Sequence, residues 1–464
     1  MRYNVLQQYE ATVTQVDNPY HFKQHQLFDM ALRINKKRRF LFVSQVLGKH
    51  LAVDPNIPLL TSHLLAYLFM EQRFGYVDEF AQKVSRAIQM KQNLLNVLTA
   101  SRAQKLTPPS AVLIIGFAET ATALGHGFFE KFAGEVQFVH TTREHLVNVE
   151  PVICFEEEHS HASSHRLYAE EKFFLRETEV VLVDDEMTSG KTNRNIIRQL
   201  HEKYPHLTTF TLVSILDFRT AQALDEMQQL AHELGITIHS VSLFTGAFQI
   251  EETGELQMEE MGAHKNEANG PLHTEIVPAM PQHRARQEYS LEGLLQDALV
   301  EQASYCEAQY VKYANYYQDS GRFGLSVDGQ QRLEKHVAQV AELLQKRRSQ
   351  GRCLVLGTGE FMYVPMSIAL HMGDDVSYHA TTRSPIYAHE QSLIYNKFTF
   401  PSADFPGVTN YLYNIPANYY TDIFVVYERI MDSEAAAILQ EQLQPYAQHI
   451  HFVTLGGVEH AVYA

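Results

Sequence analysis

Short apolar runs, each ended by polar residues and followed by a helix-like pattern, recur along the chain. Residues 180–183 (Val-Val-Leu-Val) form a run of the kind that is buried on both faces of a parallel sheet. Comparable runs lie at 112–116, 135–139, 209–216, 236–244 and 353–357. Apolar residues at helical spacing occupy 59–72, 77–99, 221–234, 290–317 and 326–348. This alternation predicts an α/β protein built on parallel sheets.

The polar segment that follows residues 180–183 carries the clearest chemical pattern. Asp184 and Asp185 come first, and a short stretch around a glycine then leads into a helix-like pattern. That stretch is Thr188, Ser189, Gly190, Lys191 and Thr192. In open α/β sheets, ligands bind at the carboxyl ends of strands. Backbone N–H groups, hydroxyls and a helix N-terminus at this place suit a phosphate monoester. The two carboxylates can accept hydrogen bonds from a sugar diol or hold Mg²⁺.

A nucleotide-binding P-loop is the main rival interpretation, because the segment ends in Gly190-Lys191-Thr192. A P-loop requires a glycine five positions before Gly190, and Asp185 stands there. The acidic pair would also repel a triphosphate bound in the same turn. We therefore reject the P-loop, and an acidic turn without a ligand remains as the alternative.

Residues 180–192 resemble the phosphoribosyl pyrophosphate (PRPP) motif of the type I phosphoribosyltransferases. The resemblance implies that Asp184 and Asp185 engage the ribose hydroxyls together with Mg²⁺, and that residues 188–192 bind the 5′-phosphate. In that family the loop after the first core strand binds pyrophosphate through backbone amides. The residues at that place in this chain are Phe117, Ala118, Glu119 and Thr120. Thr188 stands where some purine-using relatives have an Asp, which weighs against a purine base.

The resemblance also assigns residues 147–172 to a flexible loop that closes over the reacting centre. Many relatives place Lys or Arg in this loop, whereas this chain has histidines. His161 and His165 are the candidates for the acid that assists the leaving base, and a solvated loop without a catalytic role is the alternative. The spacing of His159, His161 and His165 would also suit a metal, but no fourth ligand lies beside them.

Several basic residues elsewhere could contact an anion. Arg143 follows the predicted strand at 135–139 and could reach an anionic ligand or pair with Glu144. Residues 36–39 (Lys-Lys-Arg-Arg) and 48–50 (Gly-Lys-His) flank a predicted strand at 40–43. We interpret them as basic turns beside an edge strand. The alternative is that these cations face a phosphate in a neighbouring subunit or domain.

The second half of the chain repeats the pattern of the first. Three segments recur in the same order, each shifted by 240 to 243 positions. The matching segments are Gly116 and Glu119 with Gly357 and Glu360, Thr141-Thr142-Arg143 with Thr381-Thr382-Arg383, and 181–185 with 424–428. Agreement of order and spacing indicates an internal duplication. We therefore predict two Rossmann-like parallel-sheet domains of phosphoribosyltransferase type, the second being a degenerate internal repeat.

The repeat lacks residues of the ribose-phosphate motif. Tyr427 replaces the first Asp, and Gly190 and Lys191 have no counterparts, so we expect no intact ribose-phosphate site there. A compact polar set remains as a candidate second site: Gly357, Thr358, Gly359, Glu360, Thr382, Arg383 and Ser384. Three interpretations stay open. The repeat binds a different ligand, completes the first site as a built-in pseudo-dimer partner, or is purely structural.

Residues 382–385 (Thr-Arg-Ser-Pro) also resemble the motif of a bacterial family that joins a phosphoribosyltransferase domain to a C-terminal TRSP domain. The resemblance covers nearly the whole chain. A polar, proline-containing linker at 256–288 separates a predicted phosphoribosyltransferase domain at 1–255 from a predicted TRSP domain at 289–464. Genes of that family accompany tellurite-resistance and stress-response clusters, which implies a nucleoside-like metabolite as the product.

Composition narrows the class of protein. The 464 residues are 45% apolar, enough for two or three globular domains. A formal net charge of −16 at pH 7 argues against a nucleic-acid surface. Three separated cysteines form no disulfide framework, and no apolar stretch has the length of a signal or membrane segment. We therefore expect a cytoplasmic protein with no membrane partner.

The expected function combines these observations. We expect a phosphoribosyltransferase that uses Mg²⁺ and moves the phosphoribosyl group between PRPP and an unidentified base or nucleotide, in either direction. Its assembly would be a homodimer or an intramolecular pseudo-dimer of the two repeats. The alternative is a non-catalytic module that senses PRPP or a nucleotide.

Overall fold

The computed structural model describes residues 2–5, 9–34, 39–156, 164–176, 178–252, 287–305 and 311–457. The strands are, in chain order, β1 (Arg2–Val5), β2 (Tyr9–Asp17), β3 (Phe28–Leu32), β4 (Phe40–Ser44), β5 (Val112–Gly116), β6 (Val136–His140), β7 (Ile153–Glu156), β8 (Ser164–Leu167), β9 (Glu179–Met187), β10 (Thr209–Asp217), β11 (Thr237–Glu252), β12 (Gln287–Ser290), β13 (Leu299–Tyr305), β14 (Val311–Tyr317), β15 (Leu325–Ser326), β16 (Cys353–Gly357), β17 (Val376–Ala380), β18 (Lys397–Pro401), β19 (Thr409–Tyr413), β20 (Tyr420–Tyr427) and β21 (Ala447–Thr454). The α-helices are α1 (Gln24–Leu27), α2 (Asn56–Phe74), α3 (Phe80–Met90), α4 (Leu94–Ala103), α5 (Ala121–Glu130), α6 (Lys191–Lys203), α7 (Ala221–Leu234), α8 (Val327–Gln345), α9 (Tyr363–His371) and α10 (Ser433–Leu443). Short 3₁₀ turns occupy Glu171–Phe173, Gln296–Ala298 and Gln318–Ser320.

The first sheet has the strand order β1-β2-β11-β10-β9-β5-β6-β15. The strands from β11 to β6 are mutually parallel, and the β1–β2, β2–β11 and β6–β15 pairs are antiparallel. β9 lies in the middle, and residues 180–183 are fully buried, as a continuous apolar run predicts. The end of β9 that carries the acidic pair therefore lies between the ends of its parallel neighbours β5 and β10.

The second sheet repeats this arrangement. Its order is β12-β21-β20-β16-β17, and every neighbouring pair is parallel. β17, β16, β20 and β21 take the places that β6, β5, β9 and β10 take in the first sheet. The shared order confirms the predicted fold class of two parallel-sheet domains with an internal repeat.

The two halves exchange edge segments. Leu325 of β15 pairs with Phe138 of β6 in the first sheet. In the second sheet, the N–H and C=O of Val53 bond to those of Tyr378 in β17 at 2.9 and 2.8 Å. Phe138 and Tyr378 occupy equivalent places in the repeat. Each half therefore extends the sheet of the other, as in an intertwined dimer.

The structure corrects two of the predicted helices. Residues 290–317 are not one helix, since they contain the antiparallel hairpin of β13 and β14. Aromatic residues such as Tyr316 and Tyr317 favour strands when one face is covered, and both are buried here. Residues 77–99 form the two helices α3 and α4, because Lys91 and Asn93 adopt positive φ angles of 51° and 53°. Most of the predicted linker lies outside the described residues.

Candidate active site between the two halves

A cavity of about 440 Å³ lies at the carboxyl ends of β5 and β9, where the two halves of the chain meet. The first half contributes Arg33, Leu41, Phe42, Lys49, His50, Ala118, Glu119, Thr120, Arg143 and residues 184–193. The second half contributes Arg383, Ser384 and Val408. Every residue of the predicted ribose and phosphate motif therefore faces one space.

Asp184 and Asp185 are held by the sheet rather than by a loop. β9 continues to Met187, and Asp184 is still in register with Ser214 of β10. Both acidic residues are half-buried, and the Asp184 carboxylate accepts the N–H of Asp185 at 2.9 Å. Two adjacent carboxylates on a rigid strand can accept hydrogen bonds from two neighbouring hydroxyls.

The predicted phosphate loop ends at the N-terminus of α6. Gly190 precedes this helix with φ 62° and ψ 8°, a left-handed conformation that glycine adopts without strain. Lys191 N–H donates to the Ser189 hydroxyl at 3.3 Å, and a guanidinium N–H of Arg194 donates to the Ser189 carbonyl at 2.9 Å. The first turn of α6 has no acidic residue, so no carboxylate of that turn competes with an anion at the helix N-terminus.

The predicted pyrophosphate loop is only partly exposed to the cavity. Ala118, Glu119 and Thr120 line it. Phe117 lies in the core instead, and its N–H donates to the Val183 carbonyl at 3.1 Å. The N–H of Ala118 donates to the Thr141 hydroxyl at 2.9 Å. Phe117 is therefore not placed to bind an anion, because its backbone is used to join β5 to β9.

Of the two histidines predicted as acids, His165 is within the described residues, and it does not line the cavity. His161 lies outside the described residues. His165 is buried, its Nδ1 lies 3.0 Å from the Thr141 hydroxyl, and its ring stacks on Phe155. Thr141 also accepts the N–H of Ala118, so His165 supports the loop from behind. The geometry gives His165 a positioning place rather than contact with a ligand.

Lys49 and His50 reach the site, although the sequence pattern favoured a basic turn. The Lys49 ammonium donates to the Thr120 hydroxyl. His50 is 4% exposed, and neither ring nitrogen has a hydrogen-bond partner in the described part of the chain. Burial, with the nearby charge of Lys49, lowers the pKa of His50 well below its usual value, so the ring is neutral at pH 7.

Gly48, which precedes Lys49 and His50, lets this segment pack closely against the second half of the chain. Gly48 has φ 75°, and a Cβ added there would lie 2.7 Å from the Tyr378 ring of the second half. Any other residue at this position would push the two halves apart. Gly48 is the one local signal in the sequence that could have indicated this close contact.

The loops of the two halves bind each other reciprocally. Glu119 accepts the Thr382 hydroxyl at 3.2 Å and the N–H of Arg383 at 3.3 Å. Its equivalent, Glu360, accepts the Thr142 hydroxyl at 2.5 Å and the N–H of Arg143 at 2.8 Å. Burial alone would raise the pKa of Glu360, but Arg383 and these donors hold it below its usual value.

Charged side chains fill the corresponding place in the second half. Arg322 contacts Glu428 at 2.7 Å, and Arg429 contacts Glu428 at 3.0 Å and also Glu144. All four side chains are buried. The expectation that the repeat has no intact ribose-phosphate site agrees with this packing. Of the candidate second site, Arg383 and Ser384 line the cavity at Asp184.

The second half also supports the hairpin of β3 and β4, which forms one wall of the cavity. Ile34 N–H donates to the Pro385 carbonyl at 3.0 Å, and Tyr387 N–H donates to the Leu32 carbonyl at 2.9 Å. The ring of Phe42 stacks on Phe218 at 4.6 Å between centroids. Leu41 and Phe42 contribute apolar side chains to the lining of the cavity.

Two family models match separate parts of the chain. Residues 27–247 match the family model of the phosphoribosyl transferases. This match, together with the fold, defines the class of the protein as a phosphoribosyltransferase. Residues 319–443 match the TRSP domain that lies C-terminal to that family. The chain therefore belongs to the phosphoribosyltransferases that carry a C-terminal TRSP domain.

Solved structures that match the chain are distant. Adenine phosphoribosyltransferase from Trypanosoma brucei is 17% identical over 34% of this chain and 68% of its own, with a TM-score of 0.22. The enzyme from Leishmania tarentolae is 18% identical over 34% and 74%, with a TM-score of 0.22. Orotate phosphoribosyltransferase from Mycobacterium tuberculosis is 13% identical over 41% and 90%, with a TM-score of 0.19. No curated protein matches. Within the described ranges, no helix combines the length and apolar character needed to cross a membrane.

Proposed function

We propose that the protein transfers the 5-phosphoribosyl group between PRPP and a nitrogenous base, releasing diphosphate, or runs the reverse cleavage. The observation that supports this is the convergence in one cavity of Asp184 and Asp185, the 188–192 loop and the 118–120 loop. These partners suit a ribose diol, a 5′-phosphate and a diphosphate respectively. PRPP carries all three groups.

The chain's own residues would act mainly by orientation and charge. In the forward direction the bond between C1′ and the diphosphate oxygen breaks, and its electron pair leaves with the diphosphate. A bond from C1′ to the base nitrogen forms, and that nitrogen loses its proton. Positive charge develops on the ribose in the transition state, and the carboxylates of Asp184 and Asp185 would stabilise it. The 188–192 loop would anchor the 5′-phosphate and so fix C1′ against the base.

Mg²⁺ fits this donor set as part of a complex with PRPP. Among the residues that the structure describes, no group of three or more His, Cys, Asp and Glu side chains is placed to hold a metal by itself. Mg²⁺ commonly keeps several waters and binds through one or two carboxylates and the substrate phosphates. Asp184 and Asp185 would supply those carboxylates, and the ion would offset charge on the departing diphosphate.

The base would lie against the apolar wall of Leu41, Phe42 and Val408. His50, neutral and directed at the same cavity, offers a donor or an acceptor to a ring nitrogen. On the resemblance of residues 382–385 to the TRSP family, we assign the product to nucleoside-like metabolites of bacterial stress or tellurite resistance. Growth of a deletion strain on tellurite, with and without the Asp184→Asn variant as complement, tests that assignment.

A non-catalytic sensor of PRPP or a nucleotide is the second candidate. The position of His165 favours it, because a catalytic acid would be expected to line the cavity. A sensor binds PRPP but releases no diphosphate with any base. A screen of bases for diphosphate release therefore separates the two candidates.

The experiment that tests the shared site is a calorimetric titration of PRPP with MgCl₂ into the wild type and the Asp184→Asn/Asp185→Asn variant. A matched control is Asp374→Asn/Asp375→Asn, which neutralises an adjacent acidic pair that is exposed and outside the cavity. We expect binding to the wild type and the control and none to the cavity variant. Equal binding to all three proteins, or none to the folded wild type, would contradict the proposal.

A further inference from the structure

Arg143 and Arg383 converge on the same cavity from opposite halves of the chain. Arg143 follows β6 and Arg383 follows β17, which are equivalent strands of the two sheets. They occupy equivalent positions in the repeat, each preceded by two threonines. The pseudo-symmetry therefore brings two copies of one cationic position into one site.

The backbone of Arg383 is fixed by the first half. Glu119, which lies in the predicted pyrophosphate loop, accepts both the Thr382 hydroxyl and the Arg383 N–H. The Arg383 guanidinium also stacks on Phe405, with 4.4 Å between its central carbon and the ring centroid. The side chain is thus held beside the loop before any ligand arrives.

Two nitrogens of the Arg383 guanidinium lack acceptors. Nε and Nη2 are buried and have no hydrogen-bond partner in the described part of the protein. Burial, and then the neighbouring charge of Arg143, lower the pKa of Arg383, although the charges of Glu360, Glu119 and Asp404 act against this shift. Arginine still carries its charge at neutral pH. Buried donors without acceptors are costly, so this arrangement calls for an anion in the cavity.

Two other buried arginines differ from Arg383 in having carboxylate partners inside the protein. Arg322 and Arg429 each contact the Glu428 carboxylate, and neither lines the cavity. Their charges are neutralised inside the protein. Arg383, at the mouth of the same interface, has no such carboxylate on its Nε and Nη2 donors. The difference is expected if its acceptor comes from the ligand.

We propose that Arg383 of the TRSP domain, together with Arg143, binds the diphosphate group of the substrate, so that the second half of the chain supplies part of the active site. This inference rests on the proposed function. The 5′-phosphate has its own loop at 188–192, whereas the diphosphate carries more charge than the amides of a short loop can neutralise. A planar guanidinium can contact two oxygens at once, which suits this group.

The experiment measures two ligand fragments separately. Inorganic diphosphate with MgCl₂, and ribose 5-phosphate alone, are titrated calorimetrically into the wild type, Arg383→Gln and Arg383→Lys. Arg352→Gln is the control, since Arg352 is exposed on the second half and lies outside the cavity. Unfolding midpoints without ligand are measured for all four proteins.

We expect Arg383→Gln to weaken diphosphate binding by about 10- to 100-fold, the range for loss of a charge-assisted contact. Its affinity for ribose 5-phosphate should stay within about twofold of the wild type. Arg383→Lys should recover part of the loss, because it restores charge without the planar fork. The unfolding midpoint of ligand-free Arg383→Gln should change little, since loss of the Phe405 contact and of the charge beside Glu360 is offset by removal of two buried donors that lack acceptors.

Two results would overturn the inference. One is unchanged diphosphate affinity in Arg383→Gln when the wild type binds both fragments. The other is an equal loss of both fragments together with a lower unfolding midpoint, which is the signature of a structural residue. A folded wild type that binds neither fragment would instead refute the proposed function, and the inference with it.

Discussion

Glu119 and Glu360 each accept the hydroxyl of a threonine and the N–H of the following arginine from the other half of the chain. The two glutamates lie at equivalent positions of the repeat, each after the glycine that ends a central strand. The relationship makes one chain resemble a dimer with two-fold symmetry. The two halves differ at their sites. An open cavity lies at Asp184 in the first half, whereas buried ion pairs occupy the equivalent place in the second half.

The bond lengths at the two glutamates predict which substitution destabilises the protein more. The bonds of Glu360 are shorter, at 2.5 and 2.8 Å, than those of Glu119, at 3.2 and 3.3 Å. We expect Glu360→Gln to lower the free energy of unfolding by about 2–3 kcal/mol, and Glu119→Gln by less. Urea unfolding at pH 7.5 measures both. A larger loss for Glu119→Gln would contradict this assignment.

The Glu360 effect should also depend on pH. Its pKa in the folded protein is lowered, so the carboxylate contributes stability above the unfolded pKa of about 4.5 and loses it as the pH falls further. The difference between the wild type and Glu360→Gln should therefore shrink below about pH 4.5. A difference that stays constant from about pH 5 down to about pH 3 would show that the charge is not responsible.

Asp404 predicts the opposite pH dependence. Burial raises its pKa to about 7, although its hydrogen bond with Thr358 and the charge of Arg429 act against this shift. A raised carboxyl pKa means that the folded protein loses stability as the pH rises from about 4 to 7. Asp404→Asn removes this loss. The free energy of unfolding of the variant, relative to that of the wild type, should therefore rise by roughly 1 kcal/mol or more between pH 5 and pH 8. Parallel pH profiles for the two proteins would refute it.

His50 predicts separate effects on stability and binding. Its ring nitrogens are buried without partners, and it contacts Tyr413 edge to face. His50→Phe keeps the ring and removes the costly nitrogens, so the unfolding midpoint without ligand should rise or stay equal. Because His50 is proposed to contact the base, affinity for a nucleoside 5′-monophosphate should fall by about tenfold, the value of one hydrogen bond, and PRPP affinity should stay unchanged. Unchanged affinity for the nucleotide would exclude His50 as a base contact, and thermal unfolding with and without each ligand measures both quantities.

The buried ion pairs of the second half predict how many PRPP molecules bind to each chain. Arg322 and Arg429 fill the second half where the ribose site would lie, and they are paired with Glu428 and Glu144. Opening this place would leave buried charges without partners, which costs several kcal/mol. We therefore expect calorimetry to give one PRPP per chain. Two sites per chain would contradict this packing.

Much of the fold and half of the site could be predicted because they depend on short stretches. In residues 180–192 the apolar run, the acidic pair, the glycine and the helix start follow each other directly, so local propensity decides them. The strand order of the second sheet followed from the repeat, since equivalent segments fold alike. The hairpin at 299–317 was missed because helical spacing and strand alternation overlap in a stretch rich in tyrosine.

The sequence left the placement of Arg383, Lys49 and His50 at the first site as an open alternative, and it predicted a catalytic place for His165, which lies behind the loop instead of lining the cavity. Thr382 to Pro385 suggested a site in the second half, yet Arg383 and Ser384 face Asp184 in the first. Each of these contacts depends on how α5 and α9 pack and on which edges the halves exchange.

The sequence by itself determined the parallel-sheet fold, the internal repeat and the ribose-phosphate motif, because each is encoded in residues that are neighbours along the chain. Only the tertiary structure decided that one site is open, that the other is filled, and that the second half lines the first site. Those outcomes depend on contacts between Glu119 and Arg383, or between Glu144 and Arg429, which lie more than 200 positions apart. No local pattern states which distant partner a buried charge will find.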